Sequence, residues 1–128
     1  MHNLAILTLL ACNGPNDPAA ADTAASEGID DPFISGRACP PDSAVTWESF
    51  GQGFVLSHCA GCHSSNLGAG ERAEAPIEVN METQDLVQEW LIRIYARSAD
   101  ENATMPPVDS VLADERVLLG DWLACGAP

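Results

Sequence analysis

Cys59-Ala60-Gly61-Cys62-His63 lies near the middle of this 128-residue chain and sets two thiols around a two-residue spacer, with an imidazole directly after the second. Two thiols at that spacing can add to the two vinyl groups of one haem. The histidine that follows is then held beneath the ring as an axial ligand to iron. Zinc binding would need a second pair of ligands at comparable spacing, and Cys39 and Cys125 stand alone. A thioredoxin-like redox pair belongs in a strand–helix–strand pattern, which is missing here. The pentapeptide therefore predicts one covalently attached haem c, bound through Cys59 and Cys62, with His63 as the proximal metal ligand.

The far face of such an iron needs a ligand of its own. Met1 belongs to the leader, which leaves Met81 and Met105. Met105 sits in Ala103-Thr104-Met105-Pro106-Pro107, where two prolines stiffen the backbone beside the sulfur and reduce the entropy cost of presenting it. Met81 precedes a helical pattern and reads as a packing residue. His58 is adjacent to Cys59, on the attachment side of the ring, and reads as a surface or propionate-side residue. Met105 is the expected sixth ligand.

Outward from these residues the pattern is helical. Thr46 reads as the N-cap of a helix through about residue 57, with Glu48 in its first turn and Trp47, Phe50 and Phe54 on one face. A second helix is expected from Thr83 to Ser98, burying Leu86, Val87, Trp90, Leu91, Ile94 and Tyr95. The last is expected from about Leu112 to Ala124, burying Val117, Leu118 and Trp122 with Leu119 as a further candidate, and with Gly126 as its stop. No strand pattern competes, so the expected fold class is all-α, three main helices wrapped around one haem. Aromatic residues make up only 5% of the chain, so the core must be largely aliphatic.

The N-terminal third reads differently. Leu4 to Ala11 is an apolar run of eight residues, too short to span a bilayer, which needs about 20, and suited to the apolar region of an export signal. Leu9-Leu10-Ala11-Cys12 resembles the lipobox of bacterial lipoproteins, which makes Cys12 the expected lipidation site. Plain secretion is the competing reading. Residues 13 to 38 are rich in Ala, Asp, Pro, Gly and Ser and read as a flexible acidic linker. The expected division is an export signal over 1–11, a lipid anchor site and linker over 12–38, and a folded domain over 39–128. The expected location is the periplasmic face of a bacterial membrane.

The formal net charge is −14, from 19 acidic residues against five arginines and no lysine. Such a chain repels nucleic acid and anionic lipid, so membrane contact is expected only through the anchor. Protein partners should offer a basic or neutral docking face.

The order of these features resembles the small mono-haem, class I-like cytochrome c family. The resemblance covers about residues 44 to 125 and rests on Gly51 and Phe54, Cys59-Ala60-Gly61-Cys62-His63, Met105-Pro106-Pro107 and Trp122. It implies that the first and last helices cross, with Gly51 and Phe54 against Leu119, Trp122 and Leu123. It also implies that the His63 ring N–H is held by a backbone carbonyl, for which Pro76 stands at the matching place. With Cys59 and Cys62 on haem and Cys12 on lipid, Cys39 and Cys125 remain at the outer ends of those crossing helices. A disulfide between them is expected in an oxidising compartment, the alternative being two free thiols. Arg72, Arg93, Arg97, Trp90 and Tyr95 are candidates for the haem propionates. The lysine-rich docking disc of mitochondrial relatives has no counterpart here, so partner identity does not carry over.

The function implied is electron transfer through Fe(III)/Fe(II) cycling with His63 and Met105 both bound, by a carrier and not an enzyme. The alternatives are a gas- or peroxide-reactive haem protein and a haem subunit of a larger oxidoreductase.

Overall fold

A computed structural model describes residues 33–34, 36–108 and 110–128. The expected export signal, the Cys12 lipidation site and the linker as far as residue 32 lie outside the described residues. The described part is mainly helical, as the all-α reading requires, with a two-stranded antiparallel ladder at its start. In that ladder β1 (Phe33–Ile34) pairs with β2 (Arg37–Ala38), Ile34 opposite Arg37. Gly36 between them takes a left-handed φ of +83°. Among the described residues, secondary structure is thus present upstream of the expected boundary at Cys39.

Arg37 explains why. Its guanidinium pairs with Asp100 and, at 2.5 Å, with Asp121, so a residue assigned to the linker anchors the ladder to the helical body. Gly120 makes room for this pair: a Cβ there would lie 2.8 Å from the Asp100 carboxylate. The linker composition carries no sign of a contact made only across the fold.

Thr46 caps the first helix as expected. Its hydroxyl accepts from Ser49 N at 3.2 Å while Ser49 Oγ accepts from Thr46 N at 2.9 Å, a reciprocal box that satisfies two otherwise unpaired donors. The first turn, Trp47–Gly51, is wound as a π-helix and runs directly into α1 (Gln52–His58). Gly51 N donates to Thr46 O at 3.1 Å, and the wide turn lays Gly51 against Trp122. Any Cβ at position 51 would overlap that indole.

The second expected helix is two. α2 (Gln84–Glu89) starts at Thr83, whose hydroxyl accepts from Leu86 N at 3.4 Å, and α3 (Leu91–Ser98) follows after a break at Trp90. Trp90 N divides its hydrogen bond between Leu86 O at 3.3 Å and Val87 O at 3.1 Å, so the turn tightens there and the chain is re-aimed. Val87, Leu91, Ile94 and Tyr95 are buried as expected, while Leu86 is half-buried.

α4 (Ala113–Ala124) is the helix expected from Leu112, and it buries Leu119, Trp122 and Leu123 as the resemblance implied, but not Val117 and Leu118. Val117 and Leu118 are 47% and 36% exposed, whereas Arg116, Leu119, Trp122 and Leu123 face inward. Arg116 is the unexpected member of this face. Its guanidinium donates to the carbonyls of Ser98, Asn102 and Met105 at 2.8, 3.0 and 3.1 Å, which stabilises a buried charge that sequence patterning assigns to the surface. The helix stops at Gly126 with φ +82°. Ala127 N donates back to Trp122 O and Gly126 N to Leu123 O, a paired closure of the last carbonyls.

The core centres on Trp122, fully buried, with ring centroids of Trp47 and Phe50 at 6.2 and 6.0 Å. The expected crossing of the first and last helices is present at Gly51 and Trp122. Cys39 and Cys125 are joined by a disulfide with their Cα atoms 4.6 Å apart. Among the described residues no helix is long and apolar enough to cross a membrane.

Candidate functional site

α1 ends where the Cys59–His63 segment begins. Cys59 N and Ala60 N both donate to Val55 O at 2.9 Å, and Cys62 N and His63 N both donate to Cys59 O, at 3.1 and 2.9 Å. These overlapping turns wind the five residues tightly. Cys59, Cys62 and His63 line one wall of a cavity of about 390 Å³. Phe54, Val79 and Ile94 give it apolar sides, and Met105, Pro106 and Pro107 border it as well. Its volume falls in the usual range for ligand sites, about 300–1,000 Å³.

The structure therefore brings Cys59, Cys62, His63 and Met105 to one cavity. Met105 is carried by a loop tied to two helices: its N–H donates to Arg97 O at 2.9 Å, and its carbonyl accepts from Arg116. Its bond to Pro106 is cis. Met81 reaches the same cavity. It is buried in the core, and its N–H donates to His63 O at 2.9 Å, so it belongs to the segment behind the imidazole. Met105 comes from the separate loop after α3. His58 also borders the cavity, with Nδ1 3.3 Å from Ser110 Oγ.

His63 Nδ1 lies 3.2 Å from Val79 O, to which the ring N–H donates. The expected acceptor was Pro76. Its carbonyl is instead engaged by Arg72 Nη2 at 2.9 Å, although Pro76 still borders the cavity. With Nδ1 protonated, Nε2 keeps its lone pair. Burial pulls the imidazole below its ordinary pKa; the Val79 bond opposes this, and the charges of Arg72 and Arg93 add to the lowering. The lowering favours the neutral imidazole, the form that binds a metal.

Arg72, a surface candidate for propionates by sequence, is completely buried. It donates to Ser64 O at 2.6 Å, Asn80 Oδ1 at 2.9 Å, Pro76 O and, at 2.7 Å, Val79 O. The loop that carries it turns through left-handed φ values at Ala73 and Glu74. No pattern in the sequence marks a guanidinium that ties a loop by its carbonyls. Of the other propionate candidates, Tyr95 donates to Asp100 at 2.6 Å. Arg93 and Arg97 border the cavity, Arg93 also lying 5.9 Å over the Trp90 ring. Trp90 Nε1 is buried with no partner.

The chemistry open to this site can be narrowed. Burial pushes the Cys59 thiol up to about 12, the reverse of the lowering that a thiol–disulfide exchange nucleophile requires. Cys39 and Cys125 are spent on each other. Among the described residues no group of three or more His, Cys, Asp or Glu side chains is placed to hold a metal ion. A planar apolar group with its own metal, needing two thiols, one imidazole and one thioether, suits the donors and the apolar walls. Compared with known proteins, the chain matches no family model, no curated protein and no solved structure.

Proposed function

We propose that this protein carries single electrons through one haem c attached at Cys59 and Cys62, with His63 and Met105 as axial ligands. The observation that carries the reading is that these four side chains, from two separated segments, border one largely apolar cavity. When bound, haem supplies reversible one-electron cycling between Fe(III) and Fe(II). His63 would hold the iron through its imidazole, oriented by the Val79 carbonyl. Phe54, Val79 and Ile94 give the cavity apolar sides suited to a porphyrin. Met105 would hold the iron from the second segment, leaving no site for a substrate or gas, and a thioether ligand would favour the reduced state. Such a carrier cycles with little rearrangement.

The Cys39–Cys125 disulfide supports export, since such bonds persist in oxidising compartments. We therefore place the protein outside the cytoplasm, at the periplasmic face of a bacterial membrane, tethered by lipid at Cys12. The −14 net charge suits redox partners with basic or neutral faces.

Absorption spectra of the protein produced with cytochrome c maturation, in both redox states, test this. The expected result is a haem that stays with the denatured chain and a thioether–iron charge-transfer band in the oxidised protein. That band should vanish in Met105→Ala and persist in Met81→Leu. A colourless product, or high-spin iron that binds carbon monoxide rapidly when reduced, overturns the proposal.

A further inference from the structure

Arg72 is fully buried, yet each of its hydrogen bonds runs to a neutral oxygen: three backbone carbonyls and the Asn80 amide. Among the described residues no carboxylate pairs with it. A buried guanidinium without a counter-anion is costly, and its charge is little screened. One of its acceptors, Val79 O, is also the acceptor for the His63 ring N–H. Arg72 Nη2 holds that oxygen at 2.7 Å, His63 Nδ1 at 3.2 Å. Charged donors make the stronger, shorter bonds, so Arg72 takes the larger share of the oxygen and leaves His63 the weaker bond.

The strength of a ligand histidine's outer hydrogen bond sets how much electron density its far nitrogen gives to a metal. A strong acceptor makes the ring more imidazolate-like and stabilises the more positive metal. A weakened acceptor does the reverse, and a fixed positive charge nearby acts in the same direction.

We propose that Arg72 is a positioning residue that raises the reduction potential of the site, by competing with His63 for the Val79 carbonyl and by holding an uncompensated positive charge behind the imidazole. This rests on the haem reading above. The half-reaction is Fe(III) plus one electron from a partner redox protein giving Fe(II), with no bond made or broken, and Arg72 shifts its equilibrium toward Fe(II).

The test is a potentiometric titration, with redox mediators, of the matured holoprotein and of Arg72→Gln and Arg72→Lys. Where the His/Met spectrum persists, Arg72→Gln should move the equilibrium toward Fe(III) by about tenfold, about 59 mV for a one-electron couple. Arg72→Lys keeps the charge but loses the planar fork, and should fall between the two. In the reduced proteins the His63 Nδ1–H proton resonance should move downfield in both variants as its bond to Val79 strengthens. An Arg72→Gln protein with an intact spectrum and a potential within about twofold in equilibrium constant of the parent overturns the inference alone. If Arg72→Gln yields no coloured protein, Arg72→Lys decides: an unmoved ring proton together with an unmoved potential overturns it. A colourless parent protein overturns the haem reading, and this inference with it.

Discussion

Replacing Cys39 and Cys125 together by alanine removes a covalent tie between the segment before the first helix and the end of α4. The disulfide spans a sequence separation of 86 residues. In the chain-entropy treatment, closing a loop of that size removes about 15 cal/mol/K from the denatured ensemble, or about 4.5 kcal/mol at 25 °C, as an upper figure. Arg37 still anchors the adjacent ladder through Asp100 and Asp121, and the Gly51–Trp122 crossing is untouched, so the native fold should survive. Whole domains are stable by only about 5–15 kcal/mol, so the loss should be large. The assay is equilibrium urea unfolding followed by tryptophan fluorescence, since Trp47 and Trp122 both lie in the crossing. The double variant should unfold at a clearly lower urea concentration. Its slope should be steeper, because the uncrosslinked denatured chain exposes more surface. The reasoning is refuted if the midpoints coincide, or if both thiols of the untreated parent protein react with an alkylating reagent.

Two further outcomes follow from the packing. Gly51→Ala places a Cβ into the indole of Trp122 and should cost about 1–3 kcal/mol, as overpacking does; a thermal midpoint equal to that of the parent would show that the helices are not in close contact there. Burial alone would raise the Asp100 carboxyl, but the hydrogen bonds from Arg37 and Tyr95 override it and hold it below the usual carboxylate range. Its stabilisation is therefore complete above the unfolded value of about 3.9 and is lost as pH falls through the lower folded value. Asp100→Asn should be less stable than the parent at pH 7 by about 1 kcal/mol. That gap should close below about pH 4 in urea titrations, and a gap constant with pH would contradict the assignment.

Local chemistry was legible in the chain itself. The two thiols and the imidazole from Cys59 to His63 are so close in sequence that they must be close in space, and all three border one cavity. The caps at Thr46 and Thr83 and the stop at Gly126 are equally local, since each bonds to backbone within a few residues. The helical class follows from apolar spacing over a turn or two. The resemblance to small cytochromes also supplied the Gly51–Trp122 crossing and, through it, the Cys39–Cys125 pair.

What the tertiary structure alone decided concerns groups whose partners come from elsewhere in the chain. Pro76 stood at the expected place for the His63 ring, but Arg72 occupies its carbonyl and Val79 serves instead. Beside the expected Leu119, Trp122 and Leu123, α4 buries Arg116, which finds three carbonyls around it, while Val117 and Leu118 stay exposed. Arg37 draws supposed linker into the fold because two carboxylates on distant segments converge on it. In all three cases an arginine finds partners from elsewhere in the chain, and Arg72 and Arg116 leave the surface altogether. A sequence records that a residue is charged, but whether burying the charge costs or stabilises depends on which oxygens the completed fold sets around it.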